Sequence, residues 1–277
     1  MKYTSNRITE VLTKNQVIQC LKEAGLKQGM IVEVHCSLSF FDYVIGGAKT
    51  MVDALTDVLG YNGTILMSTQ TLENSEPTYW KTYFKDYNFV QIIRDNLPAF
   101  DKKETDSSAM GSVVDNLRRR DGTVVSNHPT YSFIAWGKYA KLLCNRQSLH
   151  FGLSEESPLA RLCELKGSIL LLGVDYQSCT AFHLAQYRAE CQPIQVQGAM
   201  VEIEGEKKWK KMLNVELDNR HFNEIGTSLE KQHKVTLFKL GKANCRLFRA
   251  DWAMEEATRF FMEKSLLRYY STYKNKS

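Results

Sequence analysis

The chain has 277 residues, 43% of them hydrophobic and 24% charged, and its formal net charge is +5. These values are ordinary for a soluble globular protein, and a chain of this length can bury a full core without disulfides or a structural metal. It shows neither the apolar core of a secretory signal nor a run of roughly 18 apolar residues that would span a bilayer. We therefore expect one domain over residues 1–277, or two closely fused lobes, in the cytoplasm and without a membrane partner.

The seven cysteines are scattered singly, and no two of them form a CxxC pair. This spacing argues against a zinc site or a disulfide framework and is typical of a reducing compartment. The basic clusters lie at 118–120, 207–211 and 268–276, and none of them belongs to a recognisable nucleic-acid-binding module. We therefore expect no bound metal and no nucleic-acid partner.

The N-terminal part of the chain predicts a parallel α/β unit. Thr13 and Gln16 form a capping box at the start of a first helix. The apolar run 30–35 then predicts a buried strand, 48–59 predicts a helix with one apolar face, and 63–67 predicts a second strand. Strands joined through a helix usually run parallel, so the carboxyl ends of these two strands should meet at one edge of a sheet.

The middle of the chain begins with an aromatic-rich region, 71–105, that has little periodicity. It fits either a mobile substrate flap or an ordered surface insertion. Further on, the Ser157–Pro158 pair predicts a helix start. The apolar run 168–174 predicts another buried strand, after which Thr180 is expected to cap a helix that carries His183 in its first turn.

The C-terminal part combines a hairpin and a long helix. Residues 194–217 alternate and contain Gly205 at the centre, which predicts a β-hairpin. Residues 251–269 predict an amphipathic helix. The strand and helix alternation of the whole chain indicates an α/β fold, an α/β/α layered and mostly parallel sheet with an additional β-hairpin. The aromatic region and the long helix suit a dimer interface or ordinary surface packing, so monomer and homodimer both stay open.

His183 is the strongest candidate for chemistry. It lies just past the carboxyl end of a predicted buried strand, where ligands bind in open α/β sheets. Imidazole can transfer a proton near neutral pH, but a histidine at this position can also simply cap or pack the helix. Cys36 beside His35 is poorly arranged for a nucleophile–base pair, because adjacent residues of a strand point to opposite faces.

Short blocks in a fixed order point to a known family. They are HCSLS from His35, GG at 46–47, MG at 110–111, HP at 128–129, SPLARL at 157–162 and the histidine at 183. In order and spacing they resemble the aminoglycoside 3-N-acetyltransferase family of antibiotic acetyltransferases, from about residue 14 to about residue 250. The resemblance implies the layered fold of that family, distinct from GCN5-related acetyltransferases, and an acyltransferase that uses acetyl-coenzyme A.

The resemblance also implies a coenzyme A site at the exit of the first strand. The residues that it implies there are Ser37, Leu38, Ser39, Met110 and Gly111. His35 is expected to belong to the same site, either orienting this loop or as a satisfied histidine at the strand end. Hydroxyls and backbone amides of such a loop can contact a pantetheine or a phosphate.

The resemblance further implies His183 as the general base of a ternary complex, in which a substrate amine attacks the thioester directly. A later carboxylate, matched to Glu224, would fix the tautomer of the imidazole. Asp175 and Gln177 are expected beside the base. The residues expected to contact the amine substrate are Thr69, His128 and Gln186.

Two positions depart from the family pattern. Many relatives carry aspartate where Gln177 stands and glutamate where Gln186 stands. Aminoglycosides are polycations, so these changes remove charges that should attract them, and Asp175 is the nearest candidate for compensation. We therefore keep three functions open: acetylation of the 3-amino group of an aminoglycoside or of a related amino sugar, acetylation of a biosynthetic amino sugar, and coenzyme A binding without catalysis.

Overall fold

The computed structural model describes residues 8–80 and 83–274, which form a layered α/β structure. The strands in chain order are β1 (Ile31–Cys36), β2 (Thr64–Ser68), β3 (Val124–Val125), β4 (Phe133–Gly137), β5 (Ser168–Leu172), β6 (Ile194–Ile203), β7 (Glu206–Val215), β8 (Val235–Leu240) and β9 (Ala243–Arg249). Strands β6 and β7 pair with each other as the predicted hairpin, and Ala199 of β6 also forms a single antiparallel bridge with Ser75. The other described strands form one sheet.

The sheet has the strand order β3-β4-β2-β1-β5-β9-β8. At its centre, β1 pairs in parallel with β2 and with β5. The flanking strands β4 and β9 pair antiparallel with β2 and β5. The outermost strands β3 and β8 pair antiparallel with those in turn, so β3, β2, β1, β5 and β8 share one direction. This arrangement confirms the mostly parallel sheet. The central strands are buried along nearly their whole length because helices cover both faces.

The helices in chain order are α1 (Lys14–Glu23), α2 (Gly47–Leu59), α3 (Asn88–Asn96), α4 (Ser112–Arg118), α5 (Ala140–Cys144), α6 (Pro158–Glu164), α7 (Phe182–Arg188), α8 (Phe222–Lys231) and α9 (Ala250–Lys274). Helices α1, α2 and α4 pack on one face of the sheet, and α5 to α9 pack on the other. The two apolar cores make the α/β/α layers. No helix in the described ranges is long and apolar enough to cross a membrane.

Two of the predicted helix starts are confirmed, and one is wrong. Thr13 accepts a hydrogen bond from the Gln16 amide, and the Gln16 side chain accepts from the Thr13 amide. Ser157 caps α6, with Pro158 in its first turn. Thr180 does not cap α7. The cap position is Ala181, whose backbone is already in the right-handed helical region and whose side chain has no polar atom.

The aromatic-rich insertion 71–105 is anchored on the hairpin where the structure describes it; residues 81–82 lie outside the description. The Tyr79 hydroxyl donates to the Val196 carbonyl at 3.1 Å, and the Phe100 amide donates to the Met200 carbonyl at 3.1 Å. Within the insertion, the Arg94 guanidinium pairs with the Glu76 carboxylate. These contacts favour an ordered surface insertion over a mobile flap.

Candidate functional site

A cleft of about 560 Å³ opens at the carboxyl ends of the three parallel strands at the centre of the sheet. Its walls come from the end of β1, from Ser68 at the end of β2 and Gln70 after it, from Val174 after β5, and from the first turn of α7. Loops converge at this edge because parallel strands all end there. The cleft is therefore in the place where the sequence predicts the site.

Most of the predicted site residues meet in this cleft. The lining includes His35, Ser37, Leu38, Ser39, Met110, Gly111, Gln177 and His183. Of the predicted coenzyme A residues, all six are present. Of the predicted catalytic residues, His183 and Gln177 are present. The structure thus brings residues from three separate parts of the sequence, 35–39, 110–111 and 177–183, to one place, and their roles there stay predictions.

The loop after β1 is held tightly against the end of β5. The Ser37 amide donates to the Leu172 carbonyl at 3.1 Å, and the Ser37 and Ser39 hydroxyls lie 2.9 Å apart. On the other wall, Gly111 has a φ of +96°, a backbone conformation that residues other than glycine rarely adopt. A Cβ built at Gly111 would meet no atom within 4 Å. The glycine therefore leaves open space beside the backbone.

His183 is a neutral imidazole in this setting. It lies on the first turn of α7 and is partly exposed, with its ring 4.9 Å from the ring of Phe222. Burial lowers its pKa to about 4, and the hydrogen bond that it donates to Gln186 and the charge of Asp218 oppose this shift. Because that value lies well below 7, the ring carries no charge at neutral pH and can accept a proton.

Gln186 fixes the tautomer of this imidazole. Nδ1 of His183 lies 2.8 Å from Oε1 of Gln186, an oxygen that can only accept, so Nδ1 carries the hydrogen and Nε2 keeps its lone pair. The amide of Gln186 is itself held by the main chain of Asp218, which accepts from Nε2 and donates to Oε1. Gln186 has no exposed surface, which corrects the prediction that it contacts the substrate. It contacts His183 instead.

Glu224 lies elsewhere, which corrects the prediction that it orients His183. Its Oε1 accepts from Nδ1 of His221 at 2.6 Å, and its Oε2 lies 3.4 Å from Nζ of Lys264. The His221 hydrogen bond, and then the charge of Lys264, lower the pKa of this carboxyl. Its side chain is 56% exposed, and it is not among the described residues that line the cleft. Matching across a hairpin of different length placed it wrongly.

Asp175 also lies outside the cleft. Its Oδ1 accepts from the Gln177 amide at 3.0 Å, and its Oδ2 accepts from the Asn223 side chain at 3.2 Å. Asp175 lines a neighbouring pocket of about 340 Å³. The carboxylate thus caps the turn that presents Gln177 to the cleft, and it does not restore a charge to the cleft wall.

His128 and Thr69 are structural, which corrects their assignment to the substrate. His128 has no exposed surface, its Nδ1 accepts from the Thr130 and Tyr131 amides, and burial lowers its pKa to about 4. Thr69 is buried with its hydroxyl 2.9 Å from that of Ser132. His128 holds the turn 128–131 and contacts the Leu149 carbonyl, and Thr69 joins the end of β2 to Ser132 just before β4.

The alternation of β2 could have shown which of its terminal residues faces the cleft. Ser68 and Gln70 line it, whereas Thr69 between them points away, as successive side chains of an extended segment do. The Ser68 hydroxyl is buried without a hydrogen-bond partner in the described part of the chain.

Asn219, on the loop before α8, also lines the cleft and donates to the Gln177 carbonyl at 3.2 Å. No signal in the sequence indicated this residue.

Cys36 lines the cleft as well, but its thiol is not a nucleophile. Burial, assisted by Cys245, raises its pKa to about 12. A thiol with that pKa is almost fully protonated at neutral pH, and the thiolate is the reactive form. This agrees with the argument from strand geometry that His35 and Cys36 do not form a dyad.

Comparison with known proteins gives the family. The family model for aminoglycoside 3-N-acetyltransferases matches residues 34–262. The SPbeta prophage-derived aminoglycoside N(3')-acetyltransferase-like protein YokD of Bacillus subtilis (strain 168) is 40% identical over 263 residues, 95% of this chain and 97% of that protein. The crystal structure of YokD matches with a TM-score of 0.89 over 92% of this chain and 94% of the other.

Two more distant structures share the fold. Aminoglycoside acetyltransferase AAC(3)-Xa is 30% identical, with a TM-score of 0.84 over 91% of this chain and 93% of the other. AAC-IIIb, solved as a binary complex with CoASH, is 22% identical, with a TM-score of 0.82 over 92% of this chain and 98% of the other. Together with the family model, these matches show that the chain belongs to the aminoglycoside 3-N-acetyltransferase family of acyltransferases.

Proposed function

We propose that the protein transfers the acetyl group of acetyl-coenzyme A to the 3-amino group of an aminoglycoside, or to an amino group of a related amino sugar. The observation that carries the proposal is the state of His183. It is a neutral imidazole in a cleft at the sheet edge, with Nδ1 committed to Gln186 and Nε2 left to accept a proton. Acetyl transfer to an amine requires such a base.

The walls of the cleft suit the pantetheine arm of coenzyme A. They combine the hydroxyls of Ser37, Ser39 and Ser68 with the apolar side chains of Leu38 and Met110. No lysine, arginine, aspartate or glutamate occurs among the described residues that line the cleft. A pantetheine arm has amides and a thioester but no charge, and the phosphates would lie outside this space. The fold shared with AAC-IIIb, a protein solved with CoASH, supports the same assignment.

We assign two tasks to this chain: it positions the two substrates, and it accepts a proton from the amine. When bound, acetyl-coenzyme A supplies an activated acetyl group. The cleft holds the amine beside it, and Nε2 of His183 accepts the amine proton as the new carbon–nitrogen bond forms. The protonated thiol of Cys36 offers no covalent route, which favours direct attack in a ternary complex.

A second candidate is a biosynthetic amino sugar with fewer positive charges. It is favoured by the lack of carboxylates in the described lining, where Gln177 stands in place of the aspartate of many relatives. A polycation should bind more weakly to an uncharged wall than to an acidic one. The two candidates differ in substrate, not in the reaction or in the role of His183.

The test is release of coenzyme A thiol from acetyl-coenzyme A in the presence of 2-deoxystreptamine aminoglycosides and of monoamino sugars. We expect amine-dependent release that His183→Ala abolishes while acetyl-coenzyme A binding, measured by calorimetry, stays within about threefold. His233→Asn, a change at an exposed histidine with positive φ, is the matched control and should leave the rate unchanged. Binding of the cofactor without release on any amine would instead support a non-catalytic protein.

A further inference from the structure

A buried carboxylate lies directly behind the cleft, and the mechanism above does not use it. Glu33, in the middle of β1, has no exposed surface. Its neighbours Val32 and Val34 pack on the opposite face of the sheet, so by strand alternation its side chain points into the layer of α6 and α7. Neither carboxylate oxygen has a hydrogen-bond partner among the described residues.

The surroundings of Glu33 offer almost no compensating charge. From α6 and from the segment before α7, the titratable groups that face it are the thiols of Cys163 and Cys179. Burial raises the pKa of both thiols and the charge of Glu33 raises them further, so they stay protonated and neutral. Burying an ionised carboxylate without a partner is strongly unfavourable. Some other group must therefore offset the charge or supply a proton.

That group is His35. It lies two residues further along β1, on the same face, with Nε2 3.2 Å from Oε1 of Glu33. The contact is not aligned as a hydrogen bond, since Nε2 has no partner in the described structure either. It is a close contact between a buried imidazole nitrogen and a buried carboxylate oxygen. His35 is 9% exposed and lines the cleft, so the pair links a buried charge to the ligand space.

We propose that His35 is a second catalytic residue, the acid of the cleft, and that Glu33 is the positioning residue that keeps a proton on its imidazole. The role rests on the proposed function, since it lies within acetyl transfer. The two histidines of the cleft then have opposite tasks, set by their partners. Burial keeps the ring of His183 neutral, with Nδ1 bonded to the amide oxygen of Gln186, whereas the ring of His35 lies against the carboxylate of Glu33.

The step balances with two proton transfers. The lone pair of the neutral substrate amine forms the carbon–nitrogen bond, and a proton of that nitrogen passes to Nε2 of His183. The carbon–sulfur bond breaks with its electron pair going to sulfur, and the imidazolium of His35 gives its proton to that sulfur. The products are the acetamide and the coenzyme A thiol. His183 is left protonated and His35 neutral, and one proton exchanged through solvent resets both.

The first test needs no substrate. In ¹⁵N-histidine NMR spectra of the full unliganded chain at pH 7, we expect His35, assigned with His35→Gln, to give imidazolium signals while His183 is neutral. Glu33→Gln should convert His35 to the neutral ring at the same pH. Glu256→Gln is the matched control, because Glu256 is also buried but pairs with Arg259 and Ser228 on the far side of α9. A neutral His35 in the unmodified protein would overturn the proposal.

The second test separates this role from a merely structural one. Glu33→Gln and His35→Gln should each lower kcat by about 100-fold, the usual size of a general-acid contribution, with KM for acetyl-coenzyme A within about twofold. If kcat of both variants equals that of the unmodified protein, the proposal is overturned and the transferase reaction still stands. If no amine is acetylated, the proposed function fails while the NMR result still decides the state of the pair. If Glu33→Gln does not fold, as judged by thermal melting, the spectrum of the unmodified protein and kcat of His35→Gln decide.

Discussion

Nδ1 of His183 and Oε1 of Gln186 lie 2.8 Å apart, one turn from each other on α7. The main chain of Asp218 holds the Gln186 amide by both of its polar atoms. A fixed amide therefore determines which nitrogen of the imidazole faces the ligand. Gln186 thus orients His183 without placing a charge beside it.

Removing that hydrogen bond should damage catalysis more than binding. We expect Gln186→Leu to lower kcat by about 100-fold, because the imidazole can then adopt the wrong tautomer or rotate. KM for acetyl-coenzyme A should change little. Steady-state kinetics with the amine found by thiol release measures both. Glu224→Gln is the comparison, and if it proved the more damaging of the two, Glu224 would return as the partner of His183.

Replacing Gln186 with glutamate should instead shift the pH dependence. A carboxylate at Nδ1 favours the imidazolium, so the pKa of His183 should rise from about 4 toward its ordinary value. Activity requires the neutral ring, and its loss on acidification should then begin at a higher pH. Profiles of kcat/KM against pH for the two proteins test this, and coincident acidic limbs would contradict it.

His128 makes folding sensitive to mild acid. Its pKa is about 4 in the folded protein against an ordinary value of 6.5, so the unfolded chain binds more protons between these values. Stability from this group is fully present above about pH 6.5 and is lost as the pH falls toward 4. We expect about 2 kcal/mol of unfolding free energy to be lost between about pH 7.5 and about pH 5 from His128 alone. Urea melts of the protein and of His128→Gln measure it, and equal pH slopes would refute the assignment.

Gly111 should affect cofactor binding because its missing side chain leaves room beside the cleft. Gly111→Ala places a methyl group beside the cleft at a φ of +96°, and we expect KM for acetyl-coenzyme A to rise severalfold. Gly205→Ala is the matched control. It has a φ of +80° at the hairpin turn and equally open surroundings, so it carries similar backbone strain away from the cleft. Both variants should lose about 1 kcal/mol of stability. A similar rise in KM for both would show that strain, not space, is responsible.

Ser68 and Thr69 should respond oppositely to loss of a hydroxyl. Thr69→Val breaks the contact with Ser132 and should cost about 1 kcal/mol of unfolding free energy, with little change in KM. Ser68→Ala removes a hydroxyl that has no partner in the described structure, so stability should hold while KM for a ligand changes. Denaturant melts and kinetics on both variants separate these effects. The reverse pattern would mean that Thr69 faces the ligand after all.

The sequence predicted the layers, the hairpin, the long helix and the edge of the sheet that carries the site. These follow from local signals, because apolar runs mark buried strands and polar residues mark their ends. His183 was found for the same reason, since it lies just past a predicted strand, whereas Ser37 and Gly111 were named because of the resemblance to the family.

The misplaced residues depended on contacts that no local pattern encodes. Gln186 meets Asp218 from a different element, and Glu224 was carried across a hairpin whose length differs from that of relatives. His128 precedes a proline in an extended loop, but its burial depends on two neighbouring amides and on the close approach of Gly152. In the sequence, Glu33 is one polar residue in a short strand, and only the packing of the layers shows that it is fully buried.

The antiparallel flanks of the sheet limit how the cleft can vary. β4 and β9 run against their neighbours, so their carboxyl ends open at the opposite edge, and β1, β2 and β5 alone form the cleft floor within the central sheet. With strands about 4.8 Å apart, that floor is only about 10 Å wide, enough for one extended ligand chain. A preference for a different acceptor substrate must therefore come from the segments that lie above this floor. The described part of the insertion 71–105 and the hairpin that it contacts both lie outside this floor.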